Sequence, residues 1–303
     1  AFHAGQPSPL PELAFQYTDF AAWQRGWLHG PALEAQLDWW RQQLAGAAPV
    51  LDLPTDRPRP ATQTFRGATV PVRMPVELAL AVRARCQEEG VTPFMLLLAA
   101  FQVLLHRYSG QDDISVGSPI AGRNVAESEE LLGLFVNSLV LRARLGEATT
   151  FRELLAQVRE TTLGAYAHQD LPFERLVEAL RPARDLSRPP LFQVMFVHDQ
   201  EAQRELALPD LTLRPLGIEQ RTSKFDLTLF LSVTPDGLGG AFEYNADLFD
   251  AATLERMAGH LQHLLRAAVA QPALPLSRLP LLPEREAHQV LRDWNATHAA
   301  FAG

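Results

Sequence analysis

The sequence is nearly without lysine and cysteine. Lys224 is the only lysine among 27 basic residues, so the rest are arginine. That skew reads as the codon bias of a GC-rich genome and marks no site by itself. Cys86 is the one cysteine, which excludes an internal disulfide and a cysteine-rich metal centre. A reducing, cytoplasmic setting fits that count. No apolar run approaches the roughly 18 residues that span a bilayer. The longest, Phe94 to Leu105, reads as a buried helix. No basic block exists and the net charge is −8, which argues against a nucleic-acid binder. The opening stretch AFHAGQPSPLPELAFQ lacks the basic and apolar regions of a signal peptide. Without a starting Met, it reads like the middle of a longer polypeptide.

Several chemical signatures are also missing. There is no G-x-G-x-x-G and no P-loop, so no phosphate cradle. Gly117-Ser118-Pro119 comes nearest to a nucleophile elbow. It lacks the second glycine, and the proline removes an N–H where an oxyanion donor is needed. His260 and His263 are three apart on a predicted helix, but no carboxylate joins them. They read as a solvated helix face, and no metal is expected. Asn295-Ala-Thr297 is a glycosylation sequon with no other sign of secretion.

What is present is a globular composition: 303 residues, 47% hydrophobic and 20% charged. That is enough for one large domain or two ordinary ones. Helices are predicted over Asp19–Leu28, Pro31–Leu44, Pro75–Glu89, Thr92–Tyr108, Phe151–Tyr166, Pro172–Leu180, Asp250–Ala270 and Glu284–Trp294. Asp250 is the expected cap of its helix. Strands are predicted over residues 68–74, with a proline that favours an edge, and over Asp113–Val116 and Leu139–Leu145. The later strands are Leu191–His198, Leu211–Leu216, Phe225–Val233 and Leu238–Tyr244, the last two joined by a Pro235-Asp236-Gly237 turn. Residues 46–67 are too proline-rich for a helix and read as an extended connector, and GSPIAGRN after Val116 reads as a loop. The class is α/β with a mixed sheet and covering helices.

Four clusters are richer in polar and special residues than packing requires. They are Tyr17-Thr-Asp-Phe-Ala-Ala-Trp-Gln24, Leu132-Gly-Leu-Phe-Val-Asn-Ser138, His168-Gln-Asp-Leu-Pro-Phe-Glu174 and Arg184-Asp-Leu-Ser-Arg-Pro-Pro-Leu-Phe-Gln193. In this order and spacing they resemble the later motifs of the condensation domains of nonribosomal peptide synthetases: Y-x-D-F-A-x-W, G-x-F-V-N-T, H-Q-D-x-P-F-E and R-D-x-S-R-x-P-L. Ser138 and Pro189 depart from the usual Thr and Asn. The ending, LPLLPEREAHQVLRDWNATHAAF, resembles the junction into an adenylation domain. The subtype resembles domains joining an L-configured donor to an L-configured acceptor, more than an epimerisation variant.

The resemblance implies a chloramphenicol-acetyltransferase-like two-lobe fold, here mainly the C-terminal lobe. It implies an inter-lobe arm with crossover helices over residues 1–68, the lobe over 69–273 and a linker toward an adenylation domain over 274–303. Upstream and downstream peptidyl carrier proteins would bring both substrates on phosphopantetheine arms, with no cofactor bound by the chain itself. The family's catalytic H-H-x-x-x-D-G is absent, since no two of the nine histidines are adjacent. No catalytic residue is therefore assigned. The chain resembles a condensation domain missing its N-terminal lobe, in a machine for antibiotic or other secondary-metabolite synthesis. Two alternatives stand beside this: a noncatalytic carrier-docking or scaffolding module, and a free-standing acyltransferase of the same fold using coenzyme A or a carrier.

The residue roles follow. Arg123 is the candidate inter-lobe anchor, since arginine suits a bidentate carboxylate contact. Ser118, Asn137, Ser223 and Asn245 are the candidates to line the substrate tunnel, with backbone capping the competing role for Asn137. Tyr17, Asp19, Trp23, His168, Asp170, Arg184, Asp185 and Arg188 are motif residues with structural roles expected. Trp23, Trp39 and Trp40 are expected in the core. Lys224 and Asp226 are read as two residues of one strand face forming a local pair.

Overall fold

The computed structural model describes residues 5, 7, 12–183, 185–198, 206–208, 211–213, 220–234 and 236–297. The chain divides into two compact units. The first takes Ala1–Ala45, Pro119–Leu139 and Tyr166–Arg181; the second takes Gly46–Ser118, Val140–Ala165 and Pro182–Gly303.

The helices of the first unit are α1 (Tyr17–Trp27) and α2 (Gly30–Leu44), with α6 (Phe173–Leu180) against α2. Pro31 stands in the first turn of α2, where its missing N–H costs nothing. The buried stripe Leu37, Trp40 and Leu44 repeats at helical spacing and fixes which face turns inward. In α1 Asp19 accepts the N–H of Gln16 at 2.8 Å and completes a capping box.

The second unit carries most of a six-stranded sheet. Its strands are β1 (Gly67–Met74), β2 (Asp113–Ile120), β3 (Asn137–Arg144), β4 (Val194–Val197), β7 (Leu227–Thr234) and β8 (Gly237–Asn245). They lie in the order β1-β8-β7-β4-β2-β3. β8 is antiparallel to both β1 and β7, and β4 is parallel to both β7 and β2. The sheet is therefore mixed, with Pro71 on the edge strand where no ladder partner is lost. β5 (Leu206–Leu208) and β6 (Leu211–Leu213) make a separate two-stranded pair. α3 (Val76–Glu89), α4 (Pro93–Ser109), α5 (Phe151–Ala167) and α7 (Ala251–Ala270) are the longer helices, and α8 (Glu284–His288) is short.

α4 is the core of this unit. Every residue from Met95 to Leu105 is buried. Phe101 meets Phe196 and Phe242 with tilted rings, at 6.2 and 6.3 Å between centroids. No single described helix is long and apolar enough to cross a membrane. The joined pair α3 and α4 passes by composition but bends by 105°, and the apolarity of α4 is spent on the protein interior.

Several boundaries differ from the sequence reading. β2 runs on to Ile120 instead of yielding to a loop after Val116, because Gly117 pairs with Met195. β4 is only four residues, since Leu191 sits at φ 67, outside strand geometry. The final helix stops at His288 and gives way to a π turn over Gln289–Asp293. Asp250 stands at the N-cap of α7 yet makes no side-chain cap; its carboxylate takes Arg57 instead. Residues 214–219, where the predicted Leu211–Leu216 strand ends, lie outside the described residues, as does Pro235 of the predicted turn.

Candidate functional site

In the first unit the motif segments meet at Asn137. Its amide donates to the carbonyls of Gln169 and Leu171 at 2.9 and 2.8 Å. Its oxygen accepts the N–H groups of Ser138 and Phe173 at 2.9 and 3.0 Å. Both donors and both lone pairs are occupied. One side chain thus ties the start of β3 to the turn before α6. The capping role is the one realised, and the amide has no valence left for a substrate carbonyl.

The same unit uses its other motif residues in the same way. The Tyr17 hydroxyl donates to Leu134 O at 2.9 Å, and its ring stands edge-on to Phe135. Gly133 makes room for it: a Cβ there would lie 2.2 Å from the Tyr17 ring. Asn124 donates to Asp170 at 3.0 Å. The His168 ring stacks on Trp39 at 4.5 Å and 5°, and its carbonyl accepts the Trp40 indole N–H at 2.9 Å. The Arg123 guanidinium turns to the carbonyls of Ser128 and Glu129 and lies 4.2 Å over the Phe135 ring. Trp40 is a core residue as expected, but Trp23 is 52% exposed and stacks on exposed Trp27. Its position on a helix without buried residues leaves it no core to enter.

The second unit builds its site from an arginine-bearing strap. Residues 46–65 form no helix or strand. Their backbone polar groups are met from elsewhere: Gln193 accepts the Leu51 N–H at 2.8 Å, and Asp113 accepts that of Ala48 at 3.0 Å. Arg57 donates to the carbonyls of Ala246 and Phe249, at 3.1 and 3.2 Å, and pairs with Asp250. Arg59 engages both oxygens of Asp226, one at 2.8 Å, and the Ser187 carbonyl at 3.2 Å. The fork geometry and the burial of the Asp226 carboxylate, 4% exposed, make this the strongest ion pair of the strap. Burial alone would push the Arg59 guanidinium down; the Asp226 contacts more than offset it and leave it raised.

Asp226 therefore belongs to Arg59, not to Lys224, and β7 starts only at Leu227. Sequence reasoning missed Arg59. The available signal was a carboxylate set between Phe225 and the mostly apolar run Leu227–Leu231, where burial calls for a cation partner.

Beside this pair lies an open cleft of about 490 Å³, walled by Phe65, Pro189 and Phe225, with Gln63, Ser223 and Lys224 at its polar side. Phe65 holds a left-handed φ of 61, uncommon for a side chain of that size. It leads into Gly67, which pairs with Asn245 and whose Cβ would strike Thr222 and Ser223 backbone at 2.3 and 2.5 Å. Only glycine lets these three segments meet. Ser223 and Asn245 thus share one junction. Ser223 donates to Phe225 O at 2.7 Å, and the Asn245 side-chain oxygen accepts the Asp247 N–H at 2.9 Å. Behind Ser223, burial pushes the Glu243 carboxyl up, against the pull of Ser223 and Lys224. Ser118 is buried within β2, level with the interior of β7, whereas Ser223 precedes that strand. The cleft offers apolar walls, an exposed ammonium at Lys224 and small hydroxyl groups. It can take an extended organic chain with a polar or anionic end.

In the fourth cluster Asp185 accepts the N–H and hydroxyl of Ser187, at 2.8 and 2.6 Å, and pairs with Arg188 at 3.0 Å. Arg184 lies outside the described residues. His260 corrects an expectation: it is 5% exposed, not solvated, because Tyr108 and Glu286 enclose it. Among the described residues no cluster of three or more His, Cys, Asp or Glu side chains is placed to hold a metal.

The condensation domain profile matches residues 2–291. A component of the linear gramicidin synthase of Brevibacillus parabrevis is 52% identical over 98% of this chain, and the chondramide synthase of Chondromyces crocatus is 44% identical over 99%. The chain spans only 4% and 8% of those two proteins. Among solved structures, the X-domain of teicoplanin biosynthesis matches with a TM-score of 0.84 at 30% identity, over 93% of this chain and 66% of that one. A four-domain nonribosomal peptide synthetase bound to AMP and glycine matches with a TM-score of 0.79 at 28% identity, over 83% of this chain and 20% of that one. These likenesses bear out the chloramphenicol-acetyltransferase-like fold class. With the profile spanning nearly its full length, the chain belongs to the condensation domain family of nonribosomal peptide synthetases.

Proposed function

We propose that the chain is the C-terminal, acceptor-side lobe of a condensation domain that makes an amide bond between two carrier-bound substrates. The amine of the acceptor attacks the thioester carbonyl of the donor. The C–N bond forms, the C–S bond breaks, and the amine proton leaves as the pantetheine thiol is released. A thioester is already activated, so holding two tethered reactants in line supplies much of the rate. The carrying observation is the series of four motifs across a chain that has no H-H-x-x-x-D-G. The lobe supplies alignment and walls, and the principal proton-handling group comes from an N-terminal lobe.

In this reading the cleft at Ser223 and Lys224 is a stretch of tunnel wall, with Asn245 at the same junction, and Ser118 lines the tunnel separately, from β2. Arg59, through Asp226, positions the segment that carries the wall. Arg123 anchors a carboxylate of the N-terminal lobe, exchanging its carbonyl contacts for a charge-assisted pair. Residues beyond the packed body lead toward an adenylation domain, and peptidyl carrier proteins deliver both substrates.

The test is reconstitution. The chain joined to an upstream lobe bearing H-H-x-x-x-D-G should form a dipeptidyl thioester from two loaded carrier proteins, followed as a mass increase on the acceptor carrier protein. The 303-residue chain alone should form none. A folded two-lobe protein that yields no product overturns the proposal.

A second reading, a noncatalytic docking module, is favoured by one observation. A structural neighbour with a TM-score of 0.83 is the teicoplanin X-domain in complex with OxyB, a protein partner. Under that reading, NMR titration of the chain alone detects carrier-protein binding, and the two-lobe protein still makes no product.

A further inference from the structure

Tyr108, His260 and Glu286 form a hydrogen-bonded chain that amide-bond formation does not use. His260 stands in α7. Its Nδ1 lies 2.7 Å from the Tyr108 hydroxyl near the end of α4, and its Nε2 lies 2.8 Å from Glu286 Oε2 in α8. One tautomer satisfies both contacts: with the proton on Nε2, the ring donates to Glu286 and accepts from Tyr108. Burial, with the Glu286 charge adding to it and Arg256 opposing, pushes the Tyr108 phenol up to about 12. Tyr108 therefore keeps its proton and serves as a donor, not as a nucleophile.

The segment leading to Glu286 is fixed as well. Leu276 and Leu279 are buried. Arg107 donates to both of their carbonyls, at 3.2 and 2.9 Å. Leu276 N–H reaches Thr149 O at 2.8 Å, and the Ser277 hydroxyl reaches Glu147 O at 2.9 Å. Packed, hydrogen-bonded structure thus continues past residue 274, where the family resemblance starts the linker. Beyond His288 the described residues, up to Thr297, bond only within the terminal segment. The backbone widens into the π turn, and Leu291 and Trp294 are 68% and 67% exposed. α8 itself has only five residues, too few to persist in water without a tertiary hold.

We propose that Tyr108, His260 and Glu286 are a clasp that holds α8 on the second unit, so that the chain first swings free at Gln289 and not at the proline-rich stretch from Pro272. The clasp sets the pivot for whatever follows in a longer polypeptide. Because the contact is made through a ring satisfied on both nitrogens, it needs no metal and no bound partner.

Hydrogen exchange of the 303-residue chain tests this. The unaltered chain should protect the amides of Ala287, His288 and Gln289, the ones α8 can bond, since the first-turn N–H groups have no helical acceptor. Glu286→Ala should speed exchange there by roughly tenfold or more, the loss of one charge-assisted bond. Glu286→Gln, which keeps an acceptor for Nε2–H, should restore most of the protection, and the body of α7 should not change in any variant. Limited trypsin gives a second readout: Arg292 is cut while Arg285 resists, and His260→Leu opens Arg285 to cleavage. Free exchange of the Ala287, His288 and Gln289 amides in the unaltered chain overturns the clasp. So does an unchanged rate in Glu286→Ala, or equal cutting at Arg285 and Arg292 before any substitution. Glu286 lies at the surface of the contact, 29% exposed, so Glu286→Ala remains informative even if His260→Leu does not fold.

Discussion

Each of the two units is stabilised internally by its own chemistry. In the first, side chains bond to backbone carbonyls: Tyr17 to Leu134, Trp40 to His168, Asn137 to Gln169 and Leu171. These donors are neutral, the Arg123 guanidinium on the Ser128 and Glu129 carbonyls being the charged exception, and the acceptors lie in turns and loops. In the second, a helix that is buried from Met95 to Leu105 and apolar there except at Gln102 fills the centre; arginine–carboxylate pairs hold irregular segments, Arg59 to Asp226 and Arg66 to Asp247, and Arg142 to Asp113 joins two strands. The difference follows from what each must fix. Turns present carbonyls that small amides and phenols can cap. A long strap with no ladder of its own needs bonds that reach far and stay oriented, which the planar, multi-donor guanidinium supplies.

The second unit is most vulnerable at its core helix, α4. Phe101→Ala removes a fully buried ring that touches Phe196 and Phe242. It should cost about 3–5 kcal/mol, read as a lowered denaturation midpoint. No described helix of the first unit is buried along its length in this way, and Leu37→Ala in α2 should cost less.

The strap comes next. Arg59→Ala leaves the Asp226 carboxylate buried without its partner and should cost about 3 kcal/mol in chemical denaturation. Arg59→Met with Asp226→Leu, which removes both charges, should recover much of that loss. If the single and double variants are equally unstable, the strap is held by packing and not by charge.

How much of this is legible in the sequence also divides by unit. α4 is readable from Thr92-Pro93 to Gly110 because an apolar run between a cap and a left-handed glycine has one interpretation, and Thr92 does accept the Met95 N–H. The edge position of β1 is readable from Pro71. The clusters containing Tyr17, Asn137 and His168 are legible as clusters, but not their use, since an amide that caps two carbonyls looks the same in sequence as one that greets a substrate. Arg59 and His260 are not legible. Asp226 lies 167 residues from Arg59, and Tyr108 lies 152 from His260. Local periodicity carries no information about such pairings. Asp250 misleads because an N-cap position offers a local use, while Arg57 offers a charged one.

The amide hub sharpens the contrast in a different way. Asn137→Ala deletes four hydrogen bonds and leaves turn carbonyls unmet, which should cost about 2 kcal/mol. That loss should be the same at low and high salt, because no charge is involved. A strong salt dependence would place the first unit under the same electrostatic control as the second.

Acid should act on the second unit first. Burial raises the Asp113 carboxyl, but the Arg142 fork and the Ala48 N–H more than offset it, leaving it below the ordinary carboxylate range. A group lowered by folding stabilises the fold above its ordinary range, and that contribution is lost as pH falls through the folded value. Glu243 carries the opposite sign: burial raises it, so its contribution is present in acid and lost as pH rises. Asp113→Asn should therefore flatten the acid side of a stability–pH curve, and Glu243→Gln should lift the neutral side. An unchanged acid limb in Asp113→Asn would remove this pair from the account.

Two helix N-caps that look alike should respond differently to substitution. Thr92 and Asp250 both stand at a helix N-cap with extended backbone. Thr92 bonds Met95 N–H, so Thr92→Ala should cost about 1 kcal/mol, independent of salt. Asp250 instead meets Arg57 at a surface where both side chains are about half exposed. An exposed pair contributes only about 0–1 kcal/mol, so Asp250→Ala should cost less than Thr92→Ala and fade as salt rises. Asp250→Ser should be nearly neutral if capping can replace the pair. Should Asp250→Ala prove the costlier and salt-independent change, Asp250 acts through the Arg57 hold on the strap, and the charged network of the second unit extends to its surface.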